Sequence, residues 1–400
     1  MIPSLRRAFN AAYSDAKYAE FTGAMTRRCG VPIEFRLSET PCFFPAPLVE
    51  ELASAAQSMI GQLLSSPDYR RAADTIVPPS FRLTNGEKAP TFVQVDFGLV
   101  RSGDRVEGRL VELQAFPSLY GFQLALAEAA RDAWNLESLS IFPAGLDKAT
   151  YLGTVGRTIL GGHNPANVVL MELDPQKQKT LPDFAITEQL WGVRAIDVRS
   201  VTREGRWLFY ERDGRKTLIR RVYNRLIPDD VERGRLELPF DYRDDMDVEW
   251  TGGPDWFYRI SKFSIPWLRH PWVPKTMFLP DALVDGRLPK ADGVEWILKP
   301  LFSYAGGGIV FSPTATDIDA IPEAQRGLYL LQERVAFSPV IDTPAGPTQA
   351  EIRLMFVRDG DGYRFVLPLV RMGRGKMMGV DHNKGLSFVG AAAAFISTDN

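Results

Sequence analysis

Only two cysteines, Cys29 and Cys42, occur in the 400 residues. That is too few for a disulfide framework, and their spacing is not that of a metal site. A reducing, cytoplasmic setting is expected. The three histidines, His163, His270 and His382, are scattered without ligand spacing and are read as structural or loop residues. No G-x-S-x-G marks a serine hydrolase. No G-x-G-x-x-G follows a strand, and Gly373-Arg-Gly-Lys-Met-Met does not satisfy the P-loop pattern. Charge of one sign is not in excess: the formal net charge is −2, so no global field favours nucleic acid or an anionic membrane. No apolar run approaches the roughly 20 residues of a membrane helix. Arg6 and Arg7 have no apolar run behind them, so no secretory signal is expected.

What is present is an ordinary globular balance. The chain is 45% hydrophobic and 24% charged. It can bury a large core, in roughly two to three domains. Residues 1–90 read as a mainly helical region. Leu5, Phe9, Ala12 and Tyr13 recur at helical spacing, as do Leu48, Leu52, Ala55 and Ile60. The stretch from Pro32 to Leu37 fits a strand or an extended connection. Pro78 and Pro79 punctuate the end of this region.

Residues 91–150 open with a hairpin pattern. Thr91 to Val100 and Gly108 to Gln114 alternate around a turn at Ser102-Gly-Asp. Glu112 and Gln114 are two apart and share a face, which Asp96 can join across an antiparallel pair. Three oxygen-bearing groups on one face suit Mg²⁺; a solvated sheet face would carry the same residues. An Ala-rich helix from Gln123 to Trp134 follows. Residues 151–235 change character: the strand Asn167 to Glu172, a helix from Phe184 to Trp191 and the strand Val193 to Val198 predict a parallel α/β unit. Residues 236–400 begin with four tryptophans, Trp250, Trp256, Trp267 and Trp272, read as packing between subdomains.

The stretch Val294 to Val335 holds the densest chemistry. A strand carries Lys299, a glycine turn spans Gly306 to Gly308, and a second strand, Leu328 to Leu331, ends in Gln332-Glu333-Arg334. Glycines let backbone N–H groups approach phosphate oxygens while a lysine supplies a point charge. An exposed hairpin with a surface lysine would look similar. Beyond it lie two strands, Ala350 to Val357 and Tyr363 to Arg371, joined by Asp359-Gly-Asp-Gly and carrying Arg353 and Arg371.

The order Lys262, Val273-Pro-Lys-Thr, Trp296-Ile-Leu-Lys-Pro, Gly306-Gly-Gly-Ile, Leu331-Gln-Glu-Arg-Val, Glu351-Ile-Arg and Val370-Arg resembles the ATP-grasp superfamily. Asp96 with Glu112-Leu-Gln lies near the N-terminus rather than the C-terminus, which resembles the circularly permuted members typified by the glutathionylspermidine synthetase group. The resemblance implies an α/β (α+β) fold. Its parts would be a permuted metal-binding hairpin and helix (91–150), a pre-ATP-grasp, Rossmann-like α/β subdomain (151–235) and nucleotide-binding subdomains (236–400), behind the N-terminal helical region.

The resemblance also implies roles. Lys262 and Lys299 would bind ATP phosphates, with the loop from Ser303 through Gly306, Gly307 and Gly308 closing over them. Gln332, Glu333, Arg334 and Val335 would form the adenine hinge, Glu333 alternatively reaching the ribose. Asp96, Glu112 and Gln114 would hold Mg²⁺, and Arg353 and Arg371 would stabilise charge on the transferred phosphoryl group or a bound carboxylate. Arg353 can alternatively be a structural ion pair with Glu333 or another acid. Gln114 stands where the family usually has Asn, one methylene shorter. The implied activity is an ATP- and Mg²⁺-dependent carboxylate–amine (or carboxylate–thiol) ligase working through an acyl phosphate. Its partners would be a small-molecule or peptide carboxylate and an amine acceptor, without nucleic acid or membrane. A non-catalytic nucleotide-binding protein and an ATP-dependent phosphotransferase are the alternatives. The oligomeric state is left open.

Overall fold

The computed structural model describes residues 1–289, 293–303, 306–375, 377–378, 383 and 385–398. A five-stranded antiparallel sheet forms its centre. Across it run Gly390–Ala392, Gly362–Gly373, Gln349–Asp359, Phe92–Ser102 and Arg105–Gln114. The hairpin at residues 92–114 therefore pairs edge to edge with strands some 250 residues later, Asp96 opposite Arg353. Helices cover both faces. Val93, Val95, Phe97 and Leu99 pack in one core with Leu52, Ala56 and Met59 of helix Ala46–Ser65. Phe92, Met355, Val357 and Leu367 pack on the other face with Tyr120 and Phe122 of helix Tyr120–Trp134. Burial on both faces explains why Phe92 to Leu99 is hidden without interruption.

Strand period decides what lies beside that second core. Residues two apart share a face. Continuing from Phe92 through Gln94 to Asp96, and from Val357 through Met355 to Arg353 and Glu351, the face turns from apolar to charged. The polar end extends beyond the apolar core under helix Tyr120–Trp134.

Two further sheets flank this end. One is parallel, in the order Glu249–Thr251, Arg221–Asn224, Val168–Glu172, Arg194–Asp197, with helix Leu181–Trp191 between its last two strands in the chain. The α/β unit thus takes a strand from Glu249–Thr251 and extends past the expected boundary at 235. The other sheet is antiparallel, in the order Thr276–Phe278, Tyr329–Glu333, Trp296–Pro300, Val310–Phe311. A three-stranded meander, Thr202–Glu204, Trp207–Arg212 and Arg215–Ile219, extends the α/β unit.

The N-terminal region is helical as expected, in Pro3–Ala12, Asp15–Cys29, Ala46–Ser65 and Pro67–Ile76. Residues 32–37 form no strand of their own. A short strand, Cys42–Pro45, pairs in parallel with Ala394–Ser397 and ties the two ends of the chain together. Both cysteines are free and buried. His163 lies 3.2 Å from Glu249, and His270 Nδ1 accepts a hydrogen bond from Trp272 N–H. His382 falls outside the described residues, as do Tyr304 and Ala305 of the glycine loop and Lys376 and Gly379 of the later glycine-rich segment. No helix among the described residues is long and apolar enough to cross a membrane.

Candidate active site

The polar end of the central sheet is a buried network built on Asp96. Its carboxylate has no exposure. The Arg353 guanidinium grips it through two bonds, Nε to Oδ1 and Nη2 to Oδ2, both 2.6 Å. Arg371 adds a third at 2.6 Å and also donates to Glu351. Arg353 Nη1 donates to Gln94 Oε1 at 2.9 Å. Burial alone would raise the Asp96 carboxyl, but Arg353 and Arg371 outweigh it and hold the group below its ordinary value. Glu351 goes the other way. Burial, with help from Asp96 and Glu112, pushes it up to about 7 against the pull of Arg371.

Two lysines face this network from the antiparallel sheet and its approach. Lys299 sits on strand Trp296–Pro300 opposite Leu330 and is buried. Burial pushes its ammonium down to about 8; Lys262 adds to the fall, and Glu112 and Glu351 oppose it. Lys262 begins the 3₁₀ turn Lys262–Trp267, which Ser261 caps by accepting from Phe263 N–H. Its ammonium donates to the Ser303 carbonyl and lies 3.8 Å from Glu112. A buried cation without a close carboxylate gains most from an incoming anion.

Two cavities meet here. The first, of about 900 Å³ and open to solvent, runs along the antiparallel sheet. Its floor is Lys299 and Glu351, and Ile297, Ile309, Val335, Phe337 and Met377 give it apolar walls. Phe337 presses against Gly98, where a Cβ would come within 2.1 Å of its ring. The second, of about 1690 Å³, opens toward the C-terminal ends of the parallel strands. Glu112, Lys262 and Arg371 line both.

Most of the residues singled out in the sequence converge on this junction. Lys262, Lys299, Gly306, Gln332, Arg334, Val335, Glu112 and Arg371 line the first cavity, and Gln114, Ser303 and Arg353 line the second. Asp96 lies beneath both. Glu333 is held aside, its carboxylate accepting from Lys275 N–H. Arg353 pairs with Asp96 and not with Glu333. Gly307 and Gly308 line neither cavity; Gly308 turns the chain at φ 71°, where a Cβ would meet Pro300. Met377 and Met378, in the segment after Gly373, also line the first cavity.

Several site residues were missed. Gln94 and Glu351 each stand two residues before a chosen one, so strand alternation alone would have found them. Glu172 and Arg225 gave no such signal. Glu172 ends one parallel strand and Arg225 directly follows its neighbour; both line the second cavity and are nearly fully buried. Arg225 donates to Asp183 at 3.0 Å and stacks over Phe116 and Phe184, while its Nε is buried without a partner. Burial pushes the Glu172 carboxyl up to about 8, with Arg225 opposing.

The expected Mg²⁺ set does not form an open cation site. Both Asp96 oxygens are engaged by guanidinium groups. The Gln114 amide donates at 2.6 Å to Gln94 Oε1, the oxygen that Arg353 also engages. Among the described residues no group of three His, Cys, Asp or Glu side chains could hold a metal ion.

Comparison with known proteins leaves the sequence isolated: no family model matches, and no curated protein matches either. Solved structures do match. A glutathione synthetase like-effector (GSS30) from Globodera pallida, in apoform, aligns over 96% of each chain with a TM-score of 0.58 and 12% identity. The fold is glutathione synthetase-like. At that identity the likeness is one of architecture, and it spans the central sheet, the parallel sheet and the N-terminal helices together.

Proposed function

We propose that the chain is a circularly permuted ATP-grasp protein that binds ATP in the first cavity and activates a carboxylate held in the second. The observation that carries this reading is the junction at Glu112, Lys262 and Arg371, which belongs to both cavities. Phosphates over Lys299 would supply the counter-charge that its buried ammonium lacks, with Lys262 alongside. The adenine would lie between the apolar walls. Glu333 and Arg334 N–H already donate to the Lys275 and Glu295 carbonyls, which leaves Val335 and the hinge carbonyls for the base. Gln332 Oε1 is buried and accepts nothing, so an exocyclic amine would satisfy it.

The chemistry is positioning and charge neutralisation. A carboxylate oxygen attacks the γ-phosphorus, the bond to the β-phosphate oxygen breaks, and ADP leaves with an acyl phosphate formed. Lys262, Lys299 and Arg371 would share the charge of the transferred group. An amine or thiol then attacks the acyl carbon and expels phosphate. The second cavity suits an acid that also carries an amino-acid head. Glu172 offers a place for an ammonium, and the neighbouring Arg225 one for a carboxylate.

The second reading, a nucleotide-binding protein without chemistry, draws on the occupation of Asp96 by guanidinium groups. Purified chain mixed with ATP and a panel of amino-acid-headed carboxylates and amines separates the two. The ligase releases ADP only when an acid is present. ATP binding with no ADP formed across the panel favours the second reading.

A further inference from the structure

Arg353 occupies the place where a divalent cation was expected. Its guanidinium faces oxygens of three side chains: Asp96 at 2.6 Å twice, Gln94 at 2.9 Å and Glu112 at 3.9 Å, and Gln114 Nε2 donates to the same Gln94 oxygen at 2.6 Å. Asp96, Glu112 and Gln114 are the set from which a metal site was predicted. The sheet fixes this arrangement. Arg353 and Asp96 are paired in register on adjacent strands, with Arg371 alongside, so the guanidinium is placed by the ladder rather than by a mobile loop. Three carboxylates, Asp96, Glu112 and Glu351, already face four cations, Arg353, Arg371, Lys262 and Lys299. A dication added among them would meet repulsion from each, and it would find both oxygens of Asp96 taken.

We propose that Arg353 is a built-in cation replacing a resident metal ion, so that a polyphosphate-bearing ligand binds at the junction of the two cavities without a divalent ion held by Asp96, Glu112 and Gln114. A guanidinium is suited to this. It is always charged, and its N–H donors lie in a fixed plane that matches the carboxylate of Asp96. The identity of the ligand as a nucleotide rests on the function proposed above; the exclusion of the metal does not.

The test separates these two claims. Mn²⁺ is titrated into the full chain and followed by electron paramagnetic resonance, using wild type, Glu112→Gln and Arg353→Met. Wild type should take up no stoichiometric Mn²⁺, and Glu112→Gln should match it. Arg353→Met should gain one ion per chain, because it removes a cation from beside Glu112 and frees one oxygen of Asp96. One Mn²⁺ per wild-type chain that Glu112→Gln removes would overturn the proposal, and this arm stands even if Arg353→Met does not fold. Calorimetry with ATP in excess EDTA and again with Mg²⁺ forms the second arm. Equal affinities support the proposal, and binding that requires Mg²⁺ overturns it. If ATP binds in neither condition while the Mn²⁺ pattern holds, the nucleotide reading fails and the metal replacement stands.

Discussion

One face of the central sheet carries two unlike surfaces. At one end Phe92, Met355, Val357 and Leu367 meet helix Tyr120–Trp134 in a dry core. At the other, on the same strands, Gln94, Asp96, Glu351, Arg353 and Arg371 satisfy one another. The backbone ladder is common to both, so the difference lies in the side chains alone. The apolar end derives its stability from area removed from water. The charged end is held by mutual pairing and becomes costly when a partner is lost. Substitutions at the apolar end should therefore change stability alone, and those at the charged end should change stability and ligand binding in separable ways.

The largest effect is expected at Asp96. Asp96→Asn leaves the buried Arg353 guanidinium, with the half-buried Arg371 beside it, short of a counter-charge and should cost about 3–5 kcal/mol in urea unfolding. A loss within error of zero would mean that the network is solvated. At the apolar end, Leu367→Ala should cost about 2–4 kcal/mol through the cavity it leaves, with ATP affinity unchanged in calorimetry. Lys299→Met should separate the two properties. Removing a buried ammonium that has no close carboxylate should raise stability by roughly 1–3 kcal/mol, while ATP affinity falls at least about tenfold. Loss of both together would count against Lys299 as a ligand-binding charge.

The effect that is smallest at any single pH step is a slope. Glu172 has its carboxyl raised in the folded chain, so between its ordinary value of 4.5 and about 8 the folded state binds the extra proton. Stability from this group therefore falls as pH rises through that window, by up to about 1.4 kcal/mol per pH unit. Glu172→Gln should flatten that part of the stability profile between pH 5 and pH 8, and an unchanged profile would show that Glu172 is not buried as described.

How much of this was legible in the sequence follows from the range of the interactions. The hairpin face shared by Asp96, Glu112 and Gln114 was readable because strand alternation is local. Lys299 on its strand and the glycine turn after it were readable for the same reason. The partner of Asp96 was not: Arg353 lies 257 positions away, and only sheet order puts it opposite. The metal expectation was drawn without that partner, since three oxygens on a face look alike whether a cation or a guanidinium faces them. The strand Glu249–Thr251 and the strand Cys42–Pro45 are three and four residues long, too short for a periodic signal. Missing the first of these set the boundary of the α/β unit too early. Glu172 and Arg225 became a pair only once their strands were known to be neighbours.

The most direct test of the two-cavity reading is a crystal structure of the chain with a non-hydrolysable ATP analogue and a dicarboxylic amino acid. Phosphates should lie over Lys299 and Lys262, with the base against Val335 and Gln332 and the acid's carboxylate at Arg371, one step from the γ-phosphate. An analogue bound elsewhere, or phosphates out of reach of Lys299, would contradict it.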